Sequence, residues 1–334
     1  MGLAVELSDL FGRRIKLHDL HVLMTVVEAG SMGKAAQRLN ISQPAVSRSI
    51  AELEHQVGVT LLDRSHQGVE ATAYGRALLD GGLAMFDDLR QAVRNIEYLA
   101  DPTAGEVRIG AIPPLTASFV SHVVDRLSQR FPRIVFHLVS FETDRLHREL
   151  SERNVDLLIA RKFSASADEQ ENFEFLFEDH YVVVAGAKSP WARRRTIRLE
   201  DLLQEMWVMP PANTPPCRMA MDAFRASGLD FPRVSVFTQY IGIPRTLLAT
   251  GRYLAISPVS GLRFPAGLVG LKVLPIVLPT PRRAIGIITL KNRTLSPVAK
   301  LFIEHARELA KPLATKMSSM RRRVGPKPVN QTKP

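Results

Sequence analysis

One cysteine, Cys217, is the only thiol in this 334-residue chain, so it closes no internal disulfide and builds no cysteine-rich zinc site. None of the nine histidines falls in a closely spaced His/Glu zinc motif. There is no Walker phosphate loop, no GxGxxG and no GxSxG. No apolar run approaches the ~18 uncharged residues that a spanning helix needs, and Glu6 and Asp9 interrupt the start too early for a signal peptide. These absences predict no metal, no cofactor, no membrane partner and no catalytic activity, in a chain that works in the cytoplasm. Cys217 reads as an ordinary small side chain, since nothing local argues for a reactive thiolate.

What is present fits a folded chain. Hydrophobic residues make up 46% and charged residues 23%, inside the globular range. At ~150 residues per domain the length predicts about two domains. The net charge of +11 is uneven: residues 1–75 sum to −1, residues 101–315 to +7, and 316–334 hold six bases and no acid. A basic balance is the usual footprint of a polyanion partner. Here the bulk excess lies in the C-terminal part and reads as solvated surface. The +7 favours an anionic small-molecule partner.

Residues 17–28 place Leu17, Leu20, Leu23, Met24 and Val27 at helical spacing. Gly30 stops that helix, and Ser31 caps a second over 32–39 that turns Ala35, Ala36 and Leu39 inward. Ser42 caps a third helix, with Pro44 in its first turn and Gly58 at its end. Two short helices about so brief a turn form a helix-turn-helix, over 32–51. Segments 60–64 and 69–71, joined through Gln67-Gly68, read as the strands of a wing. Thr72 caps a helix over 73–100, with a seam of Leu78, Met85, Leu89, Val93 and Ile96. A narrow seam on so long a helix predicts pairing with a second copy; packing on its own domain is the competing reading. Pro102 and Gly105 then break the chain. Alternating strands and helices follow, the pattern of an α/β fold with parallel sheets and two lobes. The last helix is expected over 297–311, and the proline-rich basic tail, 316–334, is expected to be disordered.

Residues 31–50 contain Lys34, Arg38 and Arg48 and no acid. A helix entering the major groove needs base-edge readers near its N-terminus, flanked by phosphate binders. Gln43, Ser47 and Arg48 supply the readers on one helix face. Ser31, Lys34, Ser42 and Pro44 surround the helix starts, where exposed N–H groups suit phosphate. Arg64 in the wing reaches phosphate or the minor groove. Any one of these alone reads as a solvated side chain; the set in this order points to double-stranded promoter DNA.

Residues 17–75 resemble the DNA-binding module of the LysR-type transcriptional regulators. The resemblance rests on Glu28-Ala29-Gly30-Ser31, Ala35-Ala36, Ser42-Gln43-Pro44-Ala45-Val46-Ser47, Leu53-Glu54, Gly58, Arg64 and Thr72 with Gly75. RIGAIPP, VDLLIAR and Ser189-Pro190-Trp191-Ala192 extend it into the C-terminal part. It implies a mostly α winged helix-turn-helix domain (15–72), a linker helix (73–100), a hinge (101–105) and an α/β effector domain (106–311) like the type 2 periplasmic binding proteins. Lobe I would take about 106–175 and 280–311, and lobe II about 176–279. It also implies a homodimer or homotetramer, RNA polymerase as a further partner, and an effector cleft near the turn 112–118, Thr143, Arg161 and the loop 211–214.

The residues give that cleft partial support. Thr116 and Ser118 follow a strand and begin a helix, a place that favours anions. Thr143 is either a ligand contact or its helix's cap, and Arg161 pairs with a ligand carboxylate or with a neighbouring acid. Asn213 and Thr214 either bind or form a rigid turn. Pro114 departs from the resemblance, falling where several relatives carry a small hydroxyl residue. The alternative function is an α/β small-molecule-binding protein or enzyme whose N-terminal helices only mediate oligomerisation.

Overall fold

A computed structural model describes residues 15–65, 68–162, 170–240, 242–264 and 269–321, and these fall into two compact units, divided between Val93 and Arg94. No helix among the described residues is long and apolar enough to cross a membrane.

In the first unit, α1 (Leu17–Ala29), α2 (Met32–Leu39) and α3 (Gln43–Val57) enclose a core of Leu20, Val22, Leu23, Val26, Ala35, Val46, Ile50 and Leu53. The buried stripe of α1 runs through Val22 and Val26 instead of Leu17, which is 48% exposed. Gly30 and Gly58 end α1 and α3 in the left-handed conformation, the role that glycine fills without steric cost. β1 (Leu62–Ser65) pairs antiparallel with β2 (Gly68–Ala71). The expected connection through Gln67 lies outside the described residues. Glu54 of α3 accepts the Leu61 and Leu62 amides at 2.7 and 3.2 Å, which ties the wing to the third helix.

α4 (Ala73–Ala100) begins where Thr72 caps the Gly75 amide at 3.0 Å. Of the expected seam, Leu78 packs on the helix-turn-helix core instead. Met85, Leu89, Val93, Ile96 and Leu99 are exposed by 39–80%.

In the second unit, β3 (Ala104–Ala111), β4 (Arg133–Ser140), β5 (Leu157–Arg161), β6 (Glu171–Asp179) and β12 (Arg283–Leu290) form one sheet in the order β4-β3-β5-β12-β6. β7 (Tyr181–Gly186), β8 (Met206–Met209), β9 (Val234–Phe237), β10 (Tyr253–Pro258) and β11 (Leu271–Val273) form the other, in the order β11-β7-β10-β8-β9. Helical segments Pro113–Leu115 and Thr116–Val120 lead into α5 (Ser121–Arg130). α6 is Thr143–Ser151, α7 Pro215–Ala226, α8 Gly242–Ala249 and α9 Pro297–Arg321. The first core centres on Phe119, Leu127, Ile159, Phe177 and Phe302, and the second on Trp207, Phe224 and Leu254.

Several expectations need correction. The sheets are mixed, because β12 runs antiparallel to β5 and β6, and β10 antiparallel to β7. The lobe boundary at 175/176 falls inside β6, a strand of the first sheet, so the crossing lies between Asp179 and Tyr181. Phe264, assigned to the second lobe, packs in the first core, with its ring centroid 6.1 Å from that of Phe119. The hinge 101–105 is a tight turn, closed by the Ala104 amide on the Asp101 carbonyl at 3.2 Å, and β3 starts at Ala104. α9 continues through 316–321, and the rest of the supposed tail, 322–334, lies outside the described residues. Pro312 sits within α9, where it removes one helical N–H.

One partly buried ion cluster anchors the end of α4. Arg94 lies 2.5 Å from Glu106 and 3.6 Å from Asp156, and Arg293 donates to Asp156 at 2.9 Å. Asp156 also accepts the Arg108 amide at 2.8 Å. Burial alone would raise the Glu106 carboxyl, but Arg94 and Arg108 outweigh it and hold the group below the ordinary carboxylate range.

Candidate functional site

The first candidate site is the exposed end of the helix-turn-helix. Lys34, Ser42, Gln43, Pro44, Arg48 and Arg64 are exposed, and Ser31 and Ser47 half-buried. The Ser31 oxygen accepts the Lys34 amide at 3.4 Å and the Ser42 oxygen the Ala45 amide at 3.3 Å. Both caps use an acceptor, which leaves each hydroxyl proton for a phosphate oxygen. A methyl group on Gly33 would sit 3.7 Å from Gln43 Oε1 and 3.8 Å from Ser31 Oγ, so α2 and α3 bring these two polar groups into one patch. Among the described residues, Lys34, Arg48 and Arg64 have no ion-pair partner. Arg38 does, lying 4.0 Å from Glu28. Behind the patch, Ser49 of α3 donates to the buried Asp19 of α1.

The second candidate site is a cavity of about 300 Å³ in the second unit, between the two sheets. Of the six residues expected there, Arg161 and Thr214 line it. Thr116, Ser118, Thr143 and Asn213 are not among its lining residues. The Thr116 hydroxyl lies 3.1 Å from the Ala111 carbonyl and 3.2 Å from that of Ile112, and the Ser118 hydroxyl donates to Pro114 at 2.5 Å. Thr143 is the first residue of α6, with Glu142 at the cap position. The Asn213 carbonyl accepts Arg218 at 2.7 Å, and the Thr214 hydroxyl donates to Pro211 at 2.7 Å.

Sequence reasoning missed Tyr181, Glu142 and Arg245, which also line the cavity. Tyr181 opens β7 at the crossing between the sheets, and a tyrosine at the head of the apolar run YVVVAG was the available signal. Its hydroxyl accepts Arg161 Nη2 at 2.6 Å, a partner that neither alternative for Arg161, a ligand carboxylate or a neighbouring acid, names. Burial pushes the Tyr181 phenol up, against the Arg161 charge that pulls it down, so it keeps its proton at neutral pH. Cys217 is fully buried and its thiol is raised by that burial, the signature of an inert cysteine. No cluster of metal ligands occurs among the described residues.

An exposed acid-free recognition face and a two-sheet sensor domain with its own cavity define a ligand-responsive DNA-binding regulator. The chain belongs to the LysR family: residues 17–76 match the bacterial regulatory helix-turn-helix of that family, and residues 100–311 its substrate binding domain. It is 25% identical over 304 residues to the transcriptional regulator YdcI of Escherichia coli K12, covering 91% of this chain and 99% of YdcI. To the dual regulator GltC of Bacillus subtilis it is 27% identical over 290 residues, 87% of this chain and 96% of GltC. The crystal structure of CbnR, a LysR-family regulator, shares the fold, with a TM-score of 0.57 and 22% identity over 89% of this chain and all of CbnR. The protein is therefore a transcriptional regulator with a C-terminal effector-binding domain, and the enzyme alternative is set aside.

Proposed function

We propose that the chain works as a homodimer or higher homo-oligomer that reads promoter DNA through Gln43, Ser47 and Arg48. Ser31, Lys34, Ser42, Pro44 and Arg64 meet the flanking phosphates. The observation that carries this is the acid-free segment 31–50, whose Lys34 and Arg48 are exposed and have no ion-pair partner among the described residues, inside a domain whose net charge is −1. The exposed seam of α4 supports pairing with a second copy, since five apolar residues on one long helix need a partner. RNA polymerase then follows as the partner at a promoter, in the cytoplasm.

A small molecule in the second-unit cavity acts as effector, through different affinity for two arrangements of the protein. Arg161 and Arg245 outnumber Glu142 on the lining, which supports an anionic effector. A gel shift with the gene's own upstream region tests the DNA reading. Binding that resists competing non-specific DNA is expected; an unshifted probe overturns it.

A further inference from the structure

Three helical segments contribute residues of their opening turns to the cavity lining, among them Pro113, Pro114, Pro216 and Pro244. Pro113 and Pro114 begin the first, Pro215 and Pro216 begin α7, and Pro244 is the third residue of α8. Helix N-termini ordinarily offer free N–H groups to anions. Proline has none. Neighbouring amides are occupied: Leu115 and Thr116 donate to the Ile112 carbonyl at 2.9 and 3.0 Å, Thr214 to Pro211 at 2.9 Å, and Ile243 to Tyr240 at 3.2 Å. The nearby hydroxyls of Thr116, Ser118 and Thr214 are turned to backbone carbonyls, as described above.

At Arg161 and Tyr181, both on the lining, the situation is reversed. Arg161 Nε is buried and has no partner among the described residues. The Tyr181 oxygen accepts from Arg161, and its own proton has no acceptor among the described residues. Val184, Val208, Leu248, Ala255, Ile256 and Leu262 make much of the remaining lining apolar, with Thr238, Gln239 and Ser257 as neutral polar members. Glu142 also lines the cavity and repels a second negative charge.

We propose that the cavity selects an apolar molecule bearing one carboxylate, or an equivalent singly acidic group, held by Arg161 and Tyr181, and rejects ligands with two or more acidic groups. This rests on the reading of the cavity as the effector site. An arginine fork beside a phenol matches one carboxylate. A second carboxylate would meet Glu142 and no second buried cation, since Arg245, the other arginine of the lining, is exposed and reaches the Val269 carbonyl at 3.5 Å. The volume, at the low end of the ~300–1,000 Å³ of small-molecule sites, fits one ring or a short chain.

The test titrates the full chain with matched probes: octanoate, octanol and octanedioate, and benzoate against phthalate, by calorimetry and thermal shift. A monoacid is expected to bind at least about tenfold more tightly than its diacid partner, and Arg161→Gln or Tyr181→Phe to weaken it by about tenfold. The melting point without probe checks that each variant is folded, and Tyr181→Phe keeps the shape if Arg161→Gln does not fold. Pro113→Ala with Pro114→Ala returns two N–H groups and should narrow the gap between monoacid and diacid. Diacids that bind as well as monoacids, variants that bind octanoate or benzoate unchanged, or no binding by either monoacid would each overturn the proposal. The gel shift without probe is scored separately, so loss of DNA binding counts against the regulator reading and not against this preference.

Discussion

The Asp179 carboxylate grips Ser260 twice, accepting its amide at 3.0 Å and its hydroxyl at 2.6 Å. Asp179 ends the last strand of the first sheet, and Ser260 follows the strand that lies beside β7 in the second. Both are buried, so the pair staples two passages of chain where the lobes meet. Ser260→Ala leaves one buried oxygen unpaired and should destabilise the second unit by roughly 1–3 kcal/mol. Urea unfolding followed by tryptophan fluorescence measures this, because both tryptophans, Trp191 and Trp207, lie in that unit.

Gln43→Ala and Arg48→Ala should each weaken binding to the operator by about 1–3 kcal/mol while affinity for random DNA changes little. Lys34→Ala should weaken both alike and flatten the salt dependence. All three side chains are exposed, so melting points should stay near that of the parent. Unchanged operator affinity in both α3 variants would move the reading face elsewhere.

Leu89→Glu with Val93→Glu places two carboxylates in the exposed seam of α4. An unpaired charge buried at a helix interface is strongly unfavourable. Sedimentation should show a lower mass, with loss of cooperative binding to two half-sites. An unchanged mass would mean that the seam is not an oligomer contact.

His180 sits at the crossing between the sheets, and burial, with Arg282 next, pulls its imidazole below the ordinary value of 6.5. The unfolded chain therefore binds this proton at a higher pH than the folded one. Its share of stability is present above 6.5 and is lost as the pH falls from there through the lowered folded value. His180→Gln should make the melting point less sensitive to acid between about pH 7.5 and about pH 5. Parallel curves for parent and variant would contradict this.

The helices of the first unit were legible because spacing and caps agree. Ser31 and Asn40 bracket α2, and Ser42 and Gly58 bracket α3, with the apolar stripe between them. The strand β6, ENFEFLFED, was missed: four acids over nine residues resemble a solvated loop. It is an edge strand: pairing with β12 along one side satisfies its backbone, while Glu171 meets His147 at 2.7 Å, Glu174 meets Arg307 at 2.6 Å and the buried Asp179 holds Ser260. In the cavity, Arg161 and Thr214 stand at ends of elements and were legible. Tyr181 and Arg245 come from distant parts of the chain, and only tertiary packing brings them together. Nor does sequence say where a hydroxyl spends its proton. Thr116 and Ser118 have the right chemistry for a ligand, yet both turn to the backbone beside them.

Glu54 belongs to the recognition helix and also holds the amides that lead into the wing. Helix and wing are thus held as one piece, with a fixed offset between their two exposed edges. Gln43 and Arg48 lie three turns and nearly two turns of helix away from that anchor, on a separate exposed surface. If these two residues read the operator as proposed, exchanging them alters the preferred sequence while the Glu54-fixed frame of helix and wing stays in place. Vocabulary changes; grammar does not.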